Sequence, residues 1–277
     1  MIDLRDAIAS IKGLLADGSA RALTYAALEC RLSIERICYD RLAQAHDYLA
    51  VEEVRRWQPH HVIRLIEEDV DPEVASTYTI SIGREPLKGG EDVTALDYVP
   101  IGTQQGFDGA VLAKLWNGLS NVALHVALPK SKTALVEQFG DPAAMRAKVE
   151  QCLAELERIA TGSLTTTGFG PEVSFTCGCG TRNKRKSERL HAGKVIHCVN
   201  PECEHSFEIE LDGDAFNFVV RWVHVDCTCG KSLRFARAPL ERLRVNQTAN
   251  SFCECGAESV FHWRLYHGLR TAADVAD

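Results

Sequence analysis

Apolar residues recur every three or four positions through much of the first half of the chain, a pattern typical of amphipathic helices. Leu4, Ile8, Ile11 and Leu15 predict a first helix over 3–16, which Gly18-Ser19 ends. The same spacing, together with helix-starting residues such as Asp108, Pro59 and Asp141-Pro142, predicts four more helices. They span 20–46, 59–66, 108–127 and a segment that starts at 141.

The long second helix is predicted to bury one apolar side. The residues assigned to this side are Leu28, Leu32, Ile34, Ile37, Cys38 and Leu42.

Alternating apolar and polar positions predict strands in two places. Tyr78, Ile80 and Ile82 alternate with small polar residues over 76–82, and a second strand is expected near 99–101. Beyond a Gly/Thr-rich stretch at 161–171 the chain changes to short β-like runs such as KVIHC, SFEIEL and SVFHWRLY. The pattern therefore predicts an α+β protein, with a mostly helical domain over 1–165 that carries a small β insertion. A β-rich domain over 172–268 follows it.

Charge differs between these two parts of the chain. The net charge is −7, but from Glu172 onward 14 basic and 14 acidic residues balance, so the first part carries the whole excess. Two modules with different partners are therefore expected. No apolar run approaches the ~20 residues that span a bilayer, and the acidic, amphipathic start does not have the order of a signal peptide. These features predict a cytoplasmic protein.

Cysteine is concentrated in the second part, where eight of the 11 cysteines form four close pairs. Three pairs repeat the element CxCG and one is C-x4-C. Dense cysteine pairs in a cytoplasmic chain favour metal ligation over disulfides, and four cysteines suit one tetrahedral zinc ion. The simplest grouping follows sequence order, although a cross-braced grouping, or replacement of a cysteine by His197 or His205, is also open. The eight predicted ligands are Cys177, Cys179, Cys198, Cys203, Cys227, Cys229, Cys253 and Cys255.

The strings FTCGCG…HCVNPEC and VDCTCG…FCECG, within 172–265, resemble the zinc-ribbon family. The resemblance implies two structural zinc ions per chain, each held between facing hairpins. Sites filled by four cysteines have no open position for a reacting water. The glycine after each CxC pair is expected to leave room for backbone amides to approach the sulfurs.

Basic residues are concentrated between the ligand pairs of each predicted ribbon, with Trp222, Phe235 and Trp263 nearby. Such a combination can contact phosphates and stack bases. Two alternatives are a solvated hairpin, whose charges only aid solubility, and a protein-docking surface. The predicted nucleic-acid contacts are Arg182, Lys184, Arg185, Lys186, Arg189, Lys231, Arg234 and Arg237.

In the helical part, Arg41, His46 and Tyr48 form the string R-x4-H-x-Y, which resembles the motif of HEPN ribonucleases of toxins and phage-defence factors. The resemblance implies a dimeric helical domain that cuts RNA without metal. Arg41 and His46 would then be catalytic and Tyr48 would be a flanking site residue. The alternative is that this segment is the end of a packed helix. A second candidate pair, Asn121 and His125, lies on the helix over 108–127.

The leading hypothesis is a cytoplasmic zinc-ribbon protein that binds nucleic acid, with RNA or single strands favoured. Its helical domain would form a homodimer or contact a larger protein partner. The alternatives are a HEPN-type ribonuclease and a protein–protein adaptor.

Overall fold

A computed structural model describes most of the chain, namely residues 4–50, 53–54, 58–86, 92, 94, 97–126, 131–132 and 140–263. The predicted end of the second domain at 268 lies outside these residues. The predicted α+β class is confirmed, since helices form the N-terminal half and small sheets form the C-terminal half.

The chain divides into two compact units. The first comprises residues 1–173 and 184–189, and the second comprises 174–183 and 190–277. The short segment 184–189, which lies between the first two cysteine pairs in sequence, therefore belongs with the helices.

Within its described residues the first unit has five α-helices: α1 (Leu4–Asp17), α2 (Ala20–Ala45), α3 (Pro59–Asp69), α4 (Gly109–Leu119) and α5 (Pro142–Ile159). Side chains of Ser19, Asp108 and Asp141 accept hydrogen bonds from the first free amides of α2, α4 and α5. These caps satisfy backbone donors that have no partner within the helix. Aliphatic residues from all five helices form one core: Ile11, Leu23, Ile34, Ile66, Leu112, Leu119, Val149 and Leu156.

The buried face of α2 differs from the predicted one. Leu28 and Leu32 are 39% and 49% exposed, whereas Ala26, Ala27 and Cys30 are fully buried. Helix α2 packs against α1, α3, α4 and α5, and close approach to several helices requires small side chains along the contact. The prediction for Leu28 and Leu32 was wrong because it followed side-chain hydrophobicity alone.

The predicted helix over 108–127 ends differently from the expectation. After α4 the chain forms one π-helical turn, Ser120–Leu124, and residue 127 lies outside the described residues. Of the second candidate pair, Asn121 lies in this turn and is exposed, and His125, also exposed, follows it in extended backbone.

Strands β1 (Tyr78–Gly83) and β2 (Tyr98–Gln104) form the predicted insertion as an antiparallel pair. At the end of β2, the buried side chain of Gln104 connects four parts of the first unit. Its amide nitrogen donates to the carbonyl oxygens of Val74 and Ser76, both at 3.2 Å. Its amide oxygen accepts from Arg41 and from the backbone of Thr166.

Small antiparallel sheets make up the C-terminal half. The first pair is β3 (Glu172–Thr176) with β4 (Arg182–Lys186), and the chain passes between the two units within these strands. A three-stranded sheet and two further pairs follow. Their strands are β5 (Val195–His197), β6 (Ser206–Asp212), β7 (Ala215–Val220), β8 (Trp222–Asp226), β9 (Ser232–Ala236), β10 (Thr248–Phe252) and β11 (Glu258–His262).

The core of the second unit is small. Phe207 and Ile209 of β6 are buried with Ile196, and Phe175 stacks on Phe218 with ring centroids 4.0 Å apart. Two of the five buried residues in this cluster are cysteines, Cys177 and Cys198.

Among the described helices, none combines the length and apolar character that crossing a membrane requires.

Candidate metal centres

The eight paired cysteines come together as two groups of four, in sequence order. In each group the four sulfur atoms lie within 4.8 Å of one another. We call them the first cluster (Cys177, Cys179, Cys198 and Cys203) and the second cluster (Cys227, Cys229, Cys253 and Cys255).

The sulfur separations suit a tetrahedral ion. In the first cluster Cys177 and Cys203 are 3.7 Å apart, as are Cys179 and Cys198. In the second cluster the corresponding separations are 3.5 Å and 3.8 Å. Four sulfurs bound to zinc at about 2.3 Å form a tetrahedron with edges of about 3.8 Å. Both sites therefore fit an ion of this size and coordination, and all their positions are taken by cysteine.

Each CxCG element forms the same tight turn. The amide of Cys227 donates to the carbonyl of Lys231, and the amide of Gly230 donates to the carbonyl of Cys227, both at 2.8 Å. Equivalent bonds close the turns at Cys177 and Cys253. This geometry presents both cysteines of a pair toward one point, which explains why a spacing of one residue is sufficient.

The glycine of each turn is required by conformation rather than by space. Gly180, Gly230 and Gly256 have φ values of 87°, 85° and 87°, in the left-handed region that other residues adopt at a cost. A Cβ atom at any of the three would meet nothing within 4 Å. The left-handed φ therefore accounts for these glycines, while the expectation that they leave room for amides near sulfur stays a prediction.

Polar side chains surround the first cluster. The fully buried Asn183 donates to Cys198 Sγ at 3.7 Å, and its oxygen accepts from the backbone of Val199 at 2.8 Å. Nδ1 of His205 lies 3.3 Å from Cys177 Sγ. His205 thus contacts a cysteine of the cluster and does not replace one. Groups of this kind orient metal-binding thiolates.

Without an ion, the thiols of the first cluster do not ionise alike. A hydrogen bond from the Thr181 side chain lowers the pKa of Cys179 to about 6. Burial raises the pKa of Cys203 to about 11 and also raises the pKa of Cys177. Neighbouring thiolates repel one another, so full ionisation of four cysteines requires a bound cation.

Two of the predicted nucleic-acid contacts point inward. Lys186 is 4% exposed, and its ammonium group donates to the carbonyl oxygens of Gly168 and Gly170. Arg185 is equally buried, 3.9 Å from Glu53. Both side chains belong to the first unit and are used within it, so they are not available to phosphates in this conformation.

The other predicted contacts are at least partly accessible. Lys184, half-buried, lies 3.7 Å from Glu172, and Arg189 is also half-buried. The exposed members are Arg182, Lys231, Arg234 and Arg237.

Arg41, His46 and Tyr48 occupy three different environments. Arg41 is buried and donates to Gln104, His46 is exposed just after α2, and the Tyr48 hydroxyl donates to Glu172 at 2.6 Å. No hydrogen bond or ion pair connects the three within the described residues. Five positions along a helix rotate a side chain by about 140°, so Arg41 and His46 leave α2 in different directions.

Sequence reasoning missed Asn183 and Gln104. Both are buried amides between charged or polar neighbours, and nothing in the local pattern distinguishes them from exposed residues.

Comparison of the chain with protein-family models, curated proteins and solved structures gave no match, and so no support for the HEPN resemblance.

Proposed function

We propose that this protein binds nucleic acid through a module that two structural zinc ions stabilise. The observation that carries the proposal is the pair of four-cysteine clusters, whose sulfur separations are those of a zinc tetrahedron. Sites filled by thiolates stabilise a small fold and leave no position for catalysis. Because free thiols persist in reducing compartments, the proposal includes a cytoplasmic location.

The contact surface that we propose is the outer face of β8 and β9, which we call the Arg234 face. Arg234 and His224 pair across these strands and are both exposed. The Arg234 guanidinium lies 5.7 Å from the Trp222 ring centroid. The opposite face is covered, since Phe235 packs edge-on against Phe261 at 4.9 Å. A cation beside an aromatic ring on an open strand pair suits phosphate contact combined with base stacking.

Ion pairs neutralise part of the positive charge near the Arg234 face. Lys231 lies 2.5 Å from Glu254, while Arg237 and Arg221 share the carboxylate of Glu241. Because one carboxylate serves two arginines, this group keeps one net positive charge, and Arg237 is its more exposed member. The proposal therefore assigns phosphate contact to Arg234 and Arg237, fewer than the eight contacts predicted from the sequence. For two contacts, the logarithm of single-strand affinity should fall with the logarithm of salt with a slope of roughly −1.4.

The test measures binding of the zinc-loaded protein to fluorescent single-stranded RNA and DNA over a series of salt concentrations. We expect Arg234→Glu to weaken binding by at least about tenfold, since a charged hydrogen bond contributes about 1.5–3 kcal/mol. The salt slope should also become shallower. Arg64→Glu, an exposed arginine of α3 in the first unit, is the matched control and should bind like wild type.

Absence of wild-type binding at ~50 mM salt, where phosphate contacts are strong, would favour the protein-docking alternative. Equal loss in both variants would show that total charge, and not the Arg234 face, determines affinity.

A further inference from the structure

The two cysteine clusters differ in how accessible their close sulfur pairs are. In each cluster, two cysteines of one sequence pair each lie close to one cysteine of the other. In the first cluster every close pair has a buried member, Cys177 or Cys198. In the second cluster Cys253 is buried, but neither member of the Cys227–Cys255 pair is. We call Cys227 and Cys255 the accessible pair, since a solute can reach both of its thiolates.

The accessible pair is also the closest of the four. Its sulfur atoms are 3.5 Å apart, whereas the other separations are 3.7 or 3.8 Å. A disulfide bond has a length of about 2.0 Å. The two sulfurs therefore need to approach by only about 1.5 Å to form a bond.

Polar side chains stabilise the thiolates of the first cluster. Asn183 donates to Cys198 Sγ at 3.7 Å, and Asn200 donates to Cys179 Sγ at 3.9 Å. A donated hydrogen bond stabilises the anion and makes the sulfur a weaker nucleophile. Within the described part of the chain, the accessible pair has side-chain hydrogen bonds with cysteines only. Its thiolates are therefore both easier to reach and less stabilised.

The thiols outside the clusters are protected by burial. Cys30, Cys38 and Cys152 lie in the helical core and are at most 1% exposed. A solute in water does not reach them while the first unit is folded. Of the chain's thiols, those of the accessible pair are thus the ones placed to react in succession with a dissolved oxidant.

We propose that the accessible pair is an oxidation site, at which a hydroperoxide converts Cys227 and Cys255 into a disulfide and so displaces zinc from the second cluster. The inference rests on the zinc loading that the proposed function includes, and it is independent of nucleic-acid binding. A structural zinc site needs four ligands, and two remaining thiolates are too few to retain the ion. Oxidation therefore removes the link between the β8–β9 turn and the β10–β11 turn.

Each disulfide consumes one hydroperoxide. The exposed Cys255 thiolate attacks an oxygen of hydrogen peroxide, so the O–O bond breaks and Cys255 becomes a sulfenic acid. The Cys227 thiolate then attacks this sulfur, the S–S bond forms and the S–O bond breaks. Each of the two steps releases one hydroxide, which takes a proton from the solvent. The two thiolates thus lose two electrons, and the peroxide is reduced to two water molecules.

The test treats the zinc-loaded, full-length protein with a small excess of hydrogen peroxide. A chromophoric chelator follows released zinc relative to untreated protein, after metal analysis has measured the initial content. We expect release of about one ion per chain. Mass spectrometry without reduction, with fragmentation between Cys227 and Cys229 and between Cys253 and Cys255, should locate the disulfide in the accessible pair. A thiol reductant and added zinc should restore the lost ion.

Cys38→Ser is the matched control, since Cys38 is a buried cysteine outside both clusters. It should release zinc and form the disulfide as wild type does. The inference is overturned if loaded protein keeps both ions, if the first cluster loses its ion first or equally fast, or if the disulfide joins another pair. Fewer than two ions before oxidation would contradict the proposed function instead, and the position of the disulfide in that protein would still decide this inference.

Discussion

At the scale of single residues, each CxCG turn depends on a glycine in the left-handed conformation. Gly230 has φ 85° and donates its amide to the carbonyl of Cys227, which closes the turn that presents two sulfurs. An L-residue in this region costs roughly 1–2 kcal/mol. Since the position is open to solvent, this cost arises from the backbone alone.

Gly230→Ala should therefore weaken metal binding at the second cluster by about fivefold, corresponding to about 1 kcal/mol. Competition with a chromophoric zinc chelator measures this change.

The matched control for this prediction is Gly13→Ala. Gly13 also has nothing within 4 Å of a Cβ, but it lies within α1 and has no positive φ. Alanine there should leave metal affinity unchanged and stabilise the helix by up to about 1 kcal/mol. Equal metal affinity in Gly230→Ala and wild type would contradict the conformational argument.

At the scale of elements, the two clusters differ in how the surrounding structure protects them. Cys177 and Cys198 of the first cluster are buried beside Phe207 and Ile209 of the three-stranded sheet. The second cluster has one buried cysteine, Cys253, and two exposed ones, Cys229 and Cys255, whereas the first cluster has one exposed cysteine, Cys179. Removal of an ion requires access to its ligands, so the two sites should exchange metal at different rates.

We expect a chelator to remove metal from the second cluster first. Alkylation during a chelator chase, followed by mass spectrometry of the labelled peptides, should show Cys229 and Cys255 modified before Cys177 and Cys198. The opposite order, or equal rates, would contradict the protective role of the sheet.

The helices show which features of an element can be read locally. The starts of α4 and α5 were predicted, because Asp108 and Asp141 cap amides two or three residues away. The buried face of α2 was not, because which side of a helix is covered depends on the helices that pack against it. Leu28 and Leu32 remain exposed although their side chains are apolar.

At the scale of the whole molecule, the two units are stabilised in different ways. The first has a continuous apolar core contributed by five helices. The second has a small buried cluster, and two of its five residues are cysteines of the first metal cluster. We therefore expect this fold, with so little apolar burial, to depend for its stability on ions bound at the two clusters.

Purified protein should therefore contain two zinc ions per chain by metal analysis. Cys177→Ser should lower this number to about one and disrupt the second unit locally, while helical circular dichroism from the first unit persists.

Cys38→Ser is the control, since Cys38 is buried in α2 and belongs to neither cluster. It should retain two ions per chain even if the substitution costs stability. A wild-type content near zero or one ion would contradict the two-site assignment.

The sequence by itself determined the four cysteine pairs and most elements of this protein, whereas the fold decided that the pairs combine in sequence order. The CxCG spacing fixes two sulfurs on one turn through hydrogen bonds that span four residues, so pairs could be recognised without the fold. The environment of the charged side chains was decided only by tertiary structure. Arg41 bonds to Gln104, 63 residues away, and Lys186 bonds to the backbone of Gly168, 18 residues earlier. A run of basic residues looks the same whether it faces solvent or buried carbonyl groups, because burial depends on contacts that local spacing does not encode.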